Sequence, residues 1–140
     1  MTNETQNARV WAVAGNPEAI SINQAWAGHP GRFVRRAGAG ASLQMWAKPL
    51  SPTSQAVFVF NDGAGGDATH ASLVVDLALD LGVPAAAVAA TRVRDVWRHA
   101  PLGAVGPHGK FETASLAPRD SVLLTFTWQP PAVVRARVLR

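Results

Sequence analysis

After Gly31 the hydrophobic pattern changes period. From Phe33 to Trp128 the chain is a series of short runs rich in Val, Leu, Phe and Trp, separated by Gly, Pro and Asp. Runs of this length and composition read as β-strands. The candidates are Phe33 to Arg36, Leu43 to Lys48, Ala56 to Asn61, Ser72 to Leu77, Thr91 to Val96, Lys110 to Leu116 and Ser121 to Trp128. Ala56 to Asn61 is apolar almost throughout, which predicts a central strand. Asp62-Gly-Ala-Gly-Gly-Asp67 is a turn by its chemistry, because glycine accepts positive φ without penalty. Leu79 to Ala90 suits either a helical turn or a loop. Seven to eight short strands with no helices between them predict an all-β fold, an antiparallel, Greek-key-like β-sandwich.

The first 31 residues follow a different rule. Asn3 is placed to cap a helix, with Gln6 three positions on. Val10, Trp11, Val13 and Ala14 form its apolar stripe, and Gly15 ends it. A second helix starts at once, with Asn16 as N-cap, Pro17 at the first helical position and Glu18 in the first turn. It runs through Ala19, Ile20, Ile22 and Gln24 to the breaker Gly28-His29-Pro30-Gly31. A closed sandwich has no evident need for the apolar faces of these helices. They pack on its edge or await a partner outside the chain, and the second is expected. The tail after Pro130 is basic and is expected to be disordered, as termini are unless tied down.

A length of 140 residues fits one domain with an ordinary core, and 48% apolar with 16% charged residues is a globular balance. No Cys is present, so disulfides, thiolate metal sites and a Cys nucleophile are excluded. No apolar run approaches the ~20 residues of a membrane-spanning helix. The polar N-terminus has neither the basic nor the apolar part of a signal peptide. The net charge is +4, yet eleven of the thirteen basic residues are Arg, scattered over strands and tail. A phosphate-tracking surface clusters its charge and interleaves aromatics, so no nucleic-acid partner and no membrane partner is expected.

Asn16-x-Glu18-x-Ile20-x-x-Asn23-Gln24 resembles a segment of the family 27 α-galactosidases, the melibiases, that lies where the family's catalytic (β/α)8 barrel ends. Trp46-Ala-Lys-Pro-Leu50, Ala56-Val-Phe-Val-Phe-Asn61, Arg94-Asp-Val-Trp97 with Leu102-Gly103, and Ser121-Val-Leu-Leu124 resemble its C-terminal strands in order. Where the family carries a His before the last strand, Pro118-Arg119-Asp120 stands here. The resemblance implies the C-terminal end of an α-galactosidase. Residues 1–31 are then terminal barrel helices, 32–129 the β-sandwich and 130–140 a basic tail. It also implies a catalytic barrel as partner, in cis or in trans, a homo-oligomer as a possible assembly, and a secreted, lysosomal or vacuolar parent.

Retaining glycoside hydrolysis needs two carboxyl groups about 5–5.5 Å apart. The family's pair is carried by earlier barrel strands that match nothing in this sequence, so no catalytic residue is expected here and the chain alone is expected to be inactive. An α-galactoside substrate is expected only through the parent. The remaining acidic residues read as local: Asp62 and Asp67 as turn formers, Asp76 and Asp80 as solvated caps, Asp95 as a structural acceptor. His29, His70, His99 and His108 lack metal-ligand spacing, and neither a metal nor any other cofactor is expected. No Gly-x-Ser-x-Gly elbow or phosphate loop occurs. An alternative of another class is a free-standing carbohydrate-binding module that stacks sugars on Trp. Trp46 and Trp97 are expected in the core, leaving Trp26 as the candidate platform.

Overall fold

The computed structural model describes residues 3–63 and 70–130. The side chains of Asn3 and Gln6, positions 64–67 of the expected turn and the tail beyond Pro130 lie outside that description. The order is α1 (Asn3–Ala14), α2 (Pro17–Gln24), β1 (Arg32–Ala37), β2 (Leu43–Ser51), β3 (Ser54–Asn61), β4 (Val74–Asp76), α3 (Ala85–Val88), β5 (Arg92–Asp95), β6 (Ala100–Ala104), β7 (Lys110–Glu112) and β8 (Ser121–Thr127).

Six strands form one antiparallel sheet in the order β1-β2-β3-β8-β5-β6. β3 is central, as its composition predicts, and β8 returns from the far end of the sequence to lie between β3 and β5. Strand periodicity decides what is inside. Leu43, Met45 and Ala47 of β2, Val57 and Val59 of β3, and Val122, Leu124 and Phe126 of β8 all point into one core. The second layer supplies Leu73, Val75, Leu77, Leu81, Val83, Ala87 and Val88 to the same core. That layer is thinner than the expected strands. Ser72 to Leu77 and Lys110 to Leu116 pair as a ribbon only over Val74–Asp76 and Lys110–Glu112. Past β7, the Thr113 hydroxyl accepts the Leu73 N–H at 3.0 Å, and a single bridge joins Ala71 to Leu116. Leu79 to Ala90 resolves into a turn after β4 and the single helical turn α3.

β6 is absent from the strands expected from sequence. Ala100-Pro-Leu-Gly-Ala104 holds Pro101 and a Gly103 at φ +91°, which a central strand does not tolerate and an edge does. At the opposite edge, the two layers are tied by charge. Arg35 of β1 donates to both carboxylate oxygens of Asp80 at 2.9 and 3.0 Å, and Arg32 donates to the Asp80 carbonyl at 2.7 Å. Asp80 is therefore buried and paired, not the solvated cap expected. Burial pushes its carboxyl up, but the Arg35 hydrogen bonds, the Asp76 N–H and the Arg35 and Arg32 charges outweigh that and hold it below its ordinary range. The nearby Asp76 does act as a turn cap, accepting the N–H groups of Ala78 and Leu79.

Gly109, between β6 and β7, sits at φ +65°, and a Cβ there would stand 2.6 Å from Val88 Cγ1. Replacing it strains the backbone and collides with the core side of α3. Gly109→Ala is expected to lower the unfolding free energy by about 1–3 kcal/mol, read as a lower urea midpoint at unchanged m. An unchanged midpoint contradicts this packing.

Candidate interaction surface

The outer face of the six-stranded sheet carries α2. An eight-residue helix is too short to persist alone, so its seat on the sheet must supply its stability. The seat has three parts. Its apolar part is small: Ala19 and Ile22 lie on Ala56, Val96 and Leu123, with Leu50, Phe58 and Trp97 at the margin. These sheet residues alternate with the core residues, so β3 and β8 are covered on both faces.

The second part fixes the N-terminus of α2. Asn16 accepts the Glu18 and Ala19 N–H groups at 3.0 and 3.1 Å, the capping expected from sequence. Its amide nitrogen donates to the Val96 carbonyl at 3.0 Å, so one buried side chain both caps the helix and holds it to the end of β5. Glu18 receives Arg94 of β5 in a two-pronged pair, Nε at 2.8 Å and Nη2 at 2.7 Å. His99 joins them, its Nδ1 lying 2.7 Å from Glu18 Oε1 and its Nε2 3.5 Å from Asn16 Nδ2. A ring protonated on Nδ1 satisfies both contacts. The hydrogen bonds from Arg94, followed by that from His99, lower the Glu18 pKa from 4.5 to about 2.

The third part fixes the other end. Lys48 of β2 donates to the carbonyls of Ile22 and Asn23 at 2.8 and 2.7 Å, placing a cation where the helix dipole is negative. Asn16, Glu18, Lys48 and Arg94 all belong to the motifs read from sequence, but their convergence was not expected. Glu18 and Arg94 are 76 positions apart, and no local pattern carries that pairing.

With its inner side seated, the helical segment leaves apolar groups in solvent. Val10, Trp11 and Val13 of α1 are 62%, 71% and 52% exposed, and Ile20 of α2 is 41% exposed. The two helices therefore do both things considered above: α2 packs on the sandwich, while α1 presents an uncovered stripe. Trp26, in the segment after α2, is 71% exposed. Trp46 is not in the core as expected. Alternation along β2 turns it outward, 43% exposed and edge-to-face with Phe33 at 5.2 Å. Trp97 is half-buried at the margin of the α2 seat, and Trp128 is buried.

The carboxylates of the sandwich are engaged locally. Asp62 accepts from Arg36 and Gln44, Glu112 from Ser72, and Asp120 from the Ser121 N–H. Asp95 accepts the Arg98 N–H at 3.0 Å, the structural role expected of it. His29, His70 and His108 are exposed. Among the described residues no group of three His, Asp or Glu side chains could hold a metal ion. Pro118-Arg119-Asp120, the departure from the resembled pattern, forms a turn with Arg119 at φ +68°. Its backbone exchanges two hydrogen bonds with Asn61 at 2.8 and 3.0 Å, tying the entry of β8 to the end of β3.

Residues 40–126 match the family described as the alpha galactosidase C-terminal beta sandwich domain. The match covers more than half of the chain, and the chain belongs to that family. Among solved structures, α-galactosidase I from Mortierella vinacea is 22% identical with a TM-score of 0.66, over 90% of this chain and 29% of that one. A putative α-N-acetylgalactosaminidase from Bacillus halodurans is 22% identical with a TM-score of 0.65, over 84% and 25%. A family 27 β-L-arabinopyranosidase from Geobacillus stearothermophilus is 25% identical with a TM-score of 0.62, over 84% and 23%. The chain thus spans about a quarter of the length of these proteins. A search of curated proteins finds no match.

A carboxyl whose pKa is lowered in the folded state adds stability above its ordinary value of 4.5 and loses it as pH falls toward 2. The urea midpoint of the chain is therefore expected to drop between those limits more steeply than that of Glu18→Gln. Parallel profiles for the two proteins would remove Glu18 from the seat of α2.

Proposed function

We propose that the chain is the non-catalytic C-terminal part of an α-galactosidase-like glycoside hydrolase. In this reading residues 1–31 are the last helices of a (β/α)8 catalytic barrel, 32–129 the sandwich that buttresses it, and 130–140 a basic appendage. The barrel joins in cis in a longer chain, or in trans as a separate one. It carries the paired carboxylates that cleave terminal α-galactosyl groups with retention, and this chain holds it in shape. The observation that supports this most is the uncovered stripe of Val10, Trp11 and Val13 beside Ile20. α2 is anchored by one side while the apolar groups of α1 beside it stand in solvent, as in elements that belong to two bodies at once. Family membership and the local engagement of the sandwich carboxylates support the non-catalytic role.

A second reading rests on Trp26, whose exposed indole suits stacking on a sugar. It makes the chain a free-standing carbohydrate-binding module. The two readings separate in one experiment, co-expression with a catalytic barrel from a family 27 α-galactosidase. The first expects the chain to show no hydrolysis of an aryl α-galactoside alone and to co-elute with the barrel. It also expects Trp11→Asp to abolish co-elution while leaving the circular dichroism and urea midpoint of the chain unchanged, because that side chain makes little contact within it. Turnover by the chain alone, or co-elution indifferent to Trp11→Asp, contradicts the buttress. Sugar-dependent quenching lost in Trp26→Ala supports the second reading.

A further inference from the structure

β1 and β3 end, and β2 begins, at one corner of the large sheet, where Ala37, Leu43 and Asn61 lie side by side. Asp62-Gly63 follows at once, before the rest of the glycine-rich stretch. Aspartate before glycine is chemically fragile, because no Cβ on the second residue shields its backbone nitrogen. That nitrogen can bond to the aspartate Cγ. One carboxyl oxygen then leaves as water, with the amide proton and a proton from solvent, and a five-membered succinimide remains. Water reopens the ring and the proton returns to solvent. Cleavage of the bond from nitrogen to Cγ restores aspartate. Cleavage of the bond from nitrogen to the backbone carbonyl carbon leaves isoaspartate, with the chain routed through Cβ and Cγ. We propose that Asp62-Gly63 is a modification site of this kind, held unreacted by a clamp of Arg36, Gln44 and Asn61 and converted to isoaspartate when the clamp is released.

Ring closure needs two movements that the clamp denies. The Asp62 carboxyl must swing over the Gly63 nitrogen. Its Oδ2 instead accepts Arg36 Nη1 from β1 and Gln44 Nε2 from β2, each at 2.8 Å, and the side chain is only 15% exposed. Arg36 is itself fixed, because the same Nη1 donates to the Ala41 carbonyl at 2.9 Å. The Gly63 peptide must also turn its nitrogen toward Cγ. Its N–H instead donates to Asn61 Oδ1 at 3.1 Å. Asn61 is fully buried, and its amide nitrogen donates to the Leu116 carbonyl at 3.0 Å. The Asp62 N–H, on the near side, donates to the Ser42 carbonyl at 2.9 Å.

Both halves of the fragile pair are needed where they stand. Gly63 sits at φ +72°, a conformation that glycine adopts without strain and other residues do not. Asp62 supplies the acceptor that ties β1 and β2 to the end of β3. The fold therefore keeps a reactive dipeptide and restrains it rather than replacing it. Conversion would not stop at the bond. Isoaspartate lengthens the chain path by one methylene and moves the carboxyl group onto Cα, away from Arg36 and Gln44. The modified chain loses the clamp, and with it the tie between the edge strand β1 and the end of β3. This site depends on no docked barrel and on none of the exposed tryptophans.

The test is a long incubation of the whole chain at neutral pH, with isoaspartate at position 62 followed by peptide mapping and mass spectrometry. A synthetic peptide of residues 58–69 serves as the unclamped reference. The folded chain is expected to convert at least about tenfold more slowly than the peptide. Arg36→Ala and, independently, Gln44→Leu are each expected to speed the chain about tenfold, the factor that one lost hydrogen bond to a charged group corresponds to. Circular dichroism and a cooperative urea transition show that each variant is folded. The comparison of chain with peptide needs no variant, so a variant that unfolds does not spare the proposal. Conversion of the chain as fast as the peptide overturns the clamp, and so do folded variants that convert no faster than the parent. An equal rise at Asp120-Ser121, outside the clamp, marks general loosening and overturns it as well. None of these outcomes bears on co-elution with a barrel, so this site and the buttress stand or fall separately.

Discussion

The two-pronged pair between Glu18 and Arg94 is what makes one body of a helical segment and a sheet. The apolar contact of α2 amounts to little more than Ala19 and Ile22 on three sheet residues, too small to hold eight residues helical. The capping Asn16, the Glu18 pair and the Lys48 donors bind both ends of the helix to β2 and to β5 with the turn that follows it. Once α2 is fixed, the end of α1 that joins it is placed as well, through the backbone bonds of Gly15 to Trp11 and of Asn16 to Val13. The composition of β3 follows too, since it must be apolar on both faces because it lies between the core and this helix.

That double coverage explains what was legible in the sequence. Ala56 to Asn61 announced a central strand because Ala56 and Phe58 serve the helix while Val57 and Val59 serve the core. The N-cap of α2 was legible for a local reason: Asn16 accepts backbone N–H groups two and three residues on, and Pro17 occupies the first turn. The sandwich followed from strand spacing, and the family from ordered motifs.

What the sequence hid is long-range or depends on position in the sheet. β6 contains Pro101 and Gly103, which lower strand propensity everywhere except at an edge, and edge position is a property of the whole sheet. Trp46 was expected inside because tryptophan usually is, yet the alternation of β2 sets its direction. Asp80 looked like a surface cap until Arg35, 45 positions away, covered it.

The proline and the positive-φ glycine of β6 have a consequence for the chain at high concentration. A free sheet edge is a template on which foreign strands grow, and runaway stacking begins there. Pro101 removes an N–H from that template, and Gly103 bends it. At the other edge, the pairing of β1 shifts register between Phe33 and Arg35, an irregularity that blunts the edge as a template. Both ends of the sheet therefore discourage open-ended strand addition, and the stickiest surface left is helical and of limited extent. Self-association of this chain should stop at small, countable complexes joined through α1 rather than proceed to fibrils.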